Sequence, residues 1–202
     1  MKLKRFIGGM LQSNGYVIYQ QESGNCFIID PGYEPKRFID FVAGHKLQVK
    51  GIILTHHHYD HVGAVGRLKD AFGCPVYLHR LDCDMYKKEI DIYMEDGDTI
   101  DLEGEKILVV NTPGHTHGSI CLYCESSKLV FTGDTIFNVD LGRTDLKDGS
   151  QEEMEASILD IIDKWPNDIT IYPGHGDGCT MKKVRHINKE FLDITNKAES
   201  KH

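Results

Sequence analysis

The segment Leu54-Thr55-His56-His57-His58-Tyr59-Asp60-His61-Val62-Gly63 places five imidazole or carboxylate groups within six residues. Packing does not account for that density, because each such group buried without a partner costs free energy. Metal binding does. His56 and His58 stand two apart, which in extended chain puts them on one side. Asp60 and His61 follow at a turn, where they can face a second point. One loop thus offers two ligands to each of two neighbouring cations. Histidines with a carboxylate suit a borderline divalent ion, zinc first, with iron or manganese as alternatives.

Three later strand ends repeat the theme with one ligand-type residue each. Thr112-Pro113-Gly114-His115-Thr116 follows KILVVN, Thr132-Gly133-Asp134-Thr135 follows KLVF, and Tyr172-Pro173-Gly174-His175-Gly176 follows DITI. Glycine lets the backbone turn sharply, so the side chain projects from the end of a sheet. Asp30, in IIDPG, also ends a strand, where it either supports a ligand histidine or caps a turn. His57 alternates away from His56 and His58 and is read as lying behind them or at the surface. His117 is read as a spare at the pocket rim, His79 as structural or surface-exposed, and His45, His186 and His202 as solvent-exposed.

The elements that must position these groups can be read from apolar runs. Strands are expected at 2–7, 14–20, 25–30, 50–55, 98–101, 105–111, 118–124, 128–132 and 169–172, with another ending at His79. NCFIID and GIILT are continuous apolar runs ending in polar residues, as in buried strands. Helices are expected over 34–43, 61–72, 151–164 and 180–194. Pro35 sits at N1 of the first, and Ser150 with Glu153 forms a capping box for the third. About ten strands are too many for one small open sheet. Two packed sheets with helices outside bury them economically.

The chain has 202 residues, 40% hydrophobic and 27% charged, which fits one domain spanning 1–202. Its net charge of -8 argues against nucleic acid as a partner. No apolar run is long enough for a signal peptide or a membrane span, so the cytoplasm is the expected location and a small molecule the expected partner. The six cysteines are scattered. Cys121 and Cys124 form a CxxC, but strand alternation would point them to opposite faces, so they are read as structural.

The ordered set H-x-H-x-D-H, a later histidine, an aspartate and a last histidine resembles the metallo-β-lactamase superfamily. His56 to His61, with PGHTHGS, TGDTIF and YPGHG, is similar to hydroxyacylglutathione hydrolase (glyoxalase II), and the likeness covers nearly the whole chain. It implies an α/β fold, an αββα four-layer sandwich of two mixed sheets flanked by helices. It also implies that His56, His58 and His115 hold one metal, that Asp60, His61 and His175 hold a second, and that Asp134 bridges both. Asp60 and Asp134 are the candidate catalytic carboxylates. The activity implied is hydrolysis of a small thioester by a hydroxide shared between metals roughly 3.5–4 Å apart.

The match departs in two places. Only a short segment follows His175 where glyoxalase II carries a further helical domain, so weak binding of glutathione is expected. Gly142-Arg143-Thr144-Asp145 stands where glyoxalase II has a lysine and a tyrosine that contact glutathione. Arg143 could clamp a substrate carboxylate, or pair with Asp145. GRTD also occurs in related persulfide dioxygenases, so a mononuclear iron sulfur dioxygenase is the alternative activity. β-Lactamases of the superfamily lack an aspartate at the Asp134 position, which disfavours antibiotic hydrolysis.

Overall fold

The computed structural model describes residues 1–200; His202 lies outside them. Six strands, β1 (Lys2–Gly8), β2 (Ser13–Tyr19), β3 (Asn25–Ile29), β4 (Gln48–Ile53), β5 (Val76–His79) and β6 (Ile92–Met94), form one sheet in chain order. Another six, β7 (Thr99–Leu102), β8 (Glu105–Asn111), β9 (Ile120–Cys124), β10 (Leu129–Gly133), β11 (Thr170–Pro173) and β12 (Cys179–Thr180), form a second sheet in reverse order. The two beyond those expected, β6 and β12, span three and two residues, too short for a period of two to show.

Four layers follow from where the apolar side chains go. Along β2, Tyr16 and Ile18 face the other sheet and meet Phe131, Leu122 and Val109. Val17 and Tyr19 face outward, onto Phe38 and Val42 of helix α1 (Pro35–Gly44) and Leu68 of a later helix. Both faces of the strand are buried, which is why its apolar run is continuous. The outer face of the second sheet packs Cys121, Val130 and Ile171 against Met154, Ile158, Val184 and Phe191. The expected αββα sandwich of two mixed sheets is therefore the fold.

Several helices are shorter than expected. The run 61–72 divides into α2 (Tyr59–Val62) and α3 (Val65–Phe72). After α4 (Cys83–Tyr86), the run 151–164 is α5 (Gln151–Asp160) followed by a 3-10 turn. Only half the capping box forms: Ser150 Oγ accepts from Glu153 N at 3.2 Å, but the Glu153 carboxylate goes to His117 instead. The last run divides at buried Asn188 into α6 (Met181–Ile187) and α7 (Lys189–Glu199). Asn188 Oδ1 caps α7 through Phe191 N, and its Nδ2 donates to the carbonyls of Phe137 and Asp140. A local capping signal thus overrides the helical period. No helix among the described residues is long and apolar enough to cross a membrane.

Strand direction decides where the polar ends gather. β3 and β4 run parallel, as do β10 and β11, and β8 runs with β10 because each is antiparallel to β9. The segments carrying Asp30, His56 to His61, His115, Asp134 and His175 therefore leave the two sheets at one edge of the sandwich.

Candidate metal centre

All seven residues expected to ligate metal meet at that edge. His56, His58 and His115 form one group of donor atoms within 4.8 Å of one another, and Asp60, His61 and His175 form another. Asp134 faces both. Its Oδ1 lies 3.4 Å from His61 Nε2, while its Oδ2 lies 3.4 Å from His175 Nε2 and 3.6 Å from His115 Nε2.

Hydrogen bonds behind the rings fix which nitrogen each presents. A carbonyl only accepts, so His115 Nδ1–H donates to Arg143 O at 2.8 Å and His175 Nδ1–H donates to Leu11 O at 3.0 Å. Thr55 Oγ1 donates to Asp30 Oδ2 at 2.6 Å, leaving its lone pair for His56 Nδ1–H at 3.1 Å. Each of these histidines therefore turns its Nε2 toward the centre. His61 Nδ1 faces Asp30 Oδ2 at 3.4 Å. His58 presents Nδ1, 2.8 Å from His115 Nε2. Asp30 thus stands behind two of the histidines, behind His56 through Thr55.

The donor set fits divalent cations on two counts. His56 Nε2 and Asp134 Oδ1 are buried without a hydrogen-bond partner, an arrangement that is unfavourable unless something else satisfies them. A tetrahedral shell with ligands at about 2.0–2.1 Å has edges of about 3.3–3.4 Å. The second group shows that spacing: His175 Nε2 to Asp60 Oδ2 is 3.2 Å, His61 Nε2 to His175 Nε2 is 3.3 Å, and His61 Nε2 to Asp60 Oδ2 is 3.4 Å.

The two groups differ in charge. Burial pushes His56 well below the usual imidazole range, and burial with the facing His115 lowers His58 to about 4. Burial would also lower His61 and His175, but carboxylates override it. Asp134, with Asp30 and Asp60, holds His61 well above its ordinary value, and Asp134 with Asp60 raises His175 to about 9. Burial opposes ionisation of Asp60 and Asp134 in turn, and the same imidazoles hold both carboxyls well below the usual range. A cation entering the second group must displace protons from His61 and His175, whereas His56 and His58 in the first group are already neutral. We expect second-site affinity to rise by up to about a hundredfold per pH unit from 7 toward 9, where both His61 and His175 must give up a proton, with a weaker pH dependence at the first site. Calorimetric metal titrations at several pH values, in buffers of different ionisation enthalpy, would read both; equal proton release at the two sites would contradict this.

Two glycines are required here. Gly133 has φ +48, and a β-carbon on Gly174 would overlap Asp134 Oδ1 and crowd His61. Sequence reasoning missed Asp82, which is 1% exposed and lies beyond the end of β5. Its Oδ2 accepts from His57 N, His57 Nδ1 and Thr116 Oγ1, and its Oδ1 accepts from Gly118 N. It ties the loop of His56–His61 to the loop of His115. The available signal was weak: one acid three residues past a strand end.

The other singled-out residues fall as follows. His57 is half-buried between Asp82 and Asp148, 3.4 Å from the latter. His117 is exposed and pairs with Glu153. His79 is buried and His186 exposed. His45 is not free in solvent: its ring stacks on Phe41 at 4.0 Å. Arg143 lines the cavity, but its fork is closed on Asp145 at 2.7 and 2.9 Å. Cys121 and Cys124 face opposite sides of β9, and burial pushes both thiols up to about 12.

The sequence matches the Metallo-beta-lactamase superfamily over residues 8–175. The chain belongs to that superfamily. It is 32% identical to a hydroxyacylglutathione hydrolase of Haemophilus influenzae, over 88% of this chain and 92% of that protein. Among solved structures it resembles BLEG-1, a B3 metallo-beta-lactamase, with TM-score 0.85 and 30% identity over 93% of this chain and 98% of that one. It also resembles TTHA1623 in a di-iron-bound form, with TM-score 0.82 and 32% identity over 92% of this chain and 98% of that one. As a member of this metallo-hydrolase superfamily the chain has a histidine-rich centre of the kind that holds a metal pair.

Proposed function

We propose that the protein is a dinuclear metal-dependent hydrolase that cleaves small thioesters, hydroxyacylglutathione among them. The observation that carries this reading is the pair of three-donor groups sharing Asp134 beneath a cavity of about 660 Å³, since one tetrahedral cation needs only four donors. His56, His58 and His115 would hold one cation and Asp60, His61 and His175 the other, with Asp134 across both. Bound there, the two cations would supply an acidified water as nucleophile and a Lewis acid for the carbonyl.

The chain's own residues do the rest. Asp60 and Asp134, both held ionised, accept hydrogen bonds at the cavity floor and orient the attacking water. Asp30, Thr55 and the carbonyls of Leu11 and Arg143 keep the imidazoles turned the right way. A thiol has a pKa of about 8.5, so a thiolate departs without a proton donor beside it. Among the described residues lining the cavity there is no serine or cysteine nucleophile. The Haemophilus relative supports the substrate class, and the di-iron neighbour supports iron beside zinc as the metal.

Elemental analysis and a steady-state screen test this together. We expect two metals per chain under replete conditions, and the highest kcat/KM on thioesters among thioester, carboxylic ester, β-lactam and phosphoester substrates. BLEG-1 is a B3 metallo-beta-lactamase, so the β-lactam substrate tests for that chemistry. One iron per chain, with oxygen uptake on a persulfide, would replace the hydrolase reading with the dioxygenase.

A further inference from the structure

The floor and the wall of the cavity differ in chemistry. The floor is His58, Asp60, His115, Asp134 and His175, while the wall carries Leu11, Tyr59, Phe137, Val139 and Leu146. Isolated exposed apolar residues are ordinary on any protein surface. Here Leu11 is 64% exposed, Tyr59 72%, Val139 50% and Leu146 37%, and all open onto one mouth. Clustering of that kind marks a binding surface.

The wall is also fixed to the centre. The Leu11 carbonyl accepts a hydrogen bond from His175 Nδ1–H at 3.0 Å, and the Phe137 ring lies 6.0 Å from the His175 ring. Tyr59 sits in the chain between His58 and Asp60. The turn between β1 and β2 that carries Leu11 is held in turn, because Asn14 N donates to Gly174 O at 2.6 Å and Asn14 Nδ2 to Pro173 O at 2.9 Å. An apolar surface already in place loses little entropy when it is covered. Cationic chemistry is scarce beside it. Arg143 is the one Lys or Arg among the described lining residues, and Asp145 closes its fork. A carboxylate laid against leucine and valine there would lose water without meeting a free cationic side chain among the described lining residues.

We propose that this wall is a subsite for an apolar chain, and that the preferred substrate is a thioester bearing an aliphatic or aromatic group rather than one on a carboxylated thiol. The assignment rests on the thioester reading of the metal centre. The test uses metal-loaded protein and two series, acyl chains from acetyl to hexanoyl on N-acetylcysteamine, and acetyl thioesters of thiols of increasing length, with S-lactoylglutathione alongside. We expect kcat/KM to rise by up to about fourfold per methylene in one series, and hexanoyl or its thiol counterpart to exceed S-lactoylglutathione. Leu11→Ser with Val139→Ser, both at exposed positions, should flatten the rising series.

Hydrolysis with no dependence on length in either series, or S-lactoylglutathione preferred over every member, would overturn the subsite and leave the thioester reading standing. Calorimetric binding of S-alkyl thioethers of N-acetylcysteamine separates the opposite failure. Tighter binding with length, but no thioester hydrolysed, supports the apolar subsite while removing the thioesterase reading. Sedimentation of the loaded protein covers another occupant: a dimer that Leu11→Asp dissolves would assign the wall to a second copy and overturn the proposal.

Discussion

Asp134→Ala is expected to remove at least about a thousandfold of the activity, comparable to or larger than the loss of one buried charge-stabilising donor, while the protein stays folded. The carboxylate faces both donor sets, and its Oδ1 has no hydrogen-bond partner of its own. Its removal takes a ligand from each set and the counter-charge from His61 and His175, so metal content should fall along with turnover. The fold is spared because the three apolar layers are built without it. Circular dichroism and thermal melting would establish folding, and elemental analysis with steady-state kinetics the loss. Near-parent turnover with two metals bound would falsify the shared-ligand role. Asp134→Asn supplies a finer comparison, since the amide keeps one oxygen and the shape but not the charge.

The clustering of the proposed ligands was legible because metal chemistry uses few residue types at tight spacing, and the strands because both faces of each sheet are covered and their apolar runs are long. Where the sequence misled, a local interaction outweighed a period. Asn188 ends one helix and caps the next, although Val184 and Phe191 on either side carry the same apolar face. Gly63 separates α2 from α3 although Val62, Val65 and Leu68 read as one stripe. Arg143 illustrates a different gap. Residue type allowed either a clamp or a pair with Asp145, and only the folded loop shows both Arg143–Asp145 hydrogen bonds formed. Buried supports were hardest to see. Thr55 hides within the ligand run, and Asp82 reaches the centre only because β5 lies beside β4.

Asp82→Ala should then show how far that unseen support matters, with an expected destabilisation of about 3–5 kcal/mol. The carboxylate is 1% exposed and accepts from His57 N at 3.0 Å, His57 Nδ1 at 2.9 Å, Thr116 Oγ1 at 2.9 Å and Gly118 N at 2.7 Å. Alanine leaves those four donors without their buried acceptor. The melting temperature should fall by roughly 10 °C for a chain of this size. The loop of His58 and the loop of His115 would no longer be tied to one carboxylate, so metal affinity should fall by roughly 10–100-fold. Asp82→Asn should lie between: its oxygen can still accept from Gly118 N, but its amide nitrogen must face the His57 N–H, which cannot change from donor to acceptor. Thermal melts would read the first effect, and chelator competition on protein kept well below its melting point would read the second. A lowered melting temperature with parent metal affinity would mean that Asp82 holds the loops together without setting the spacing of the ligands.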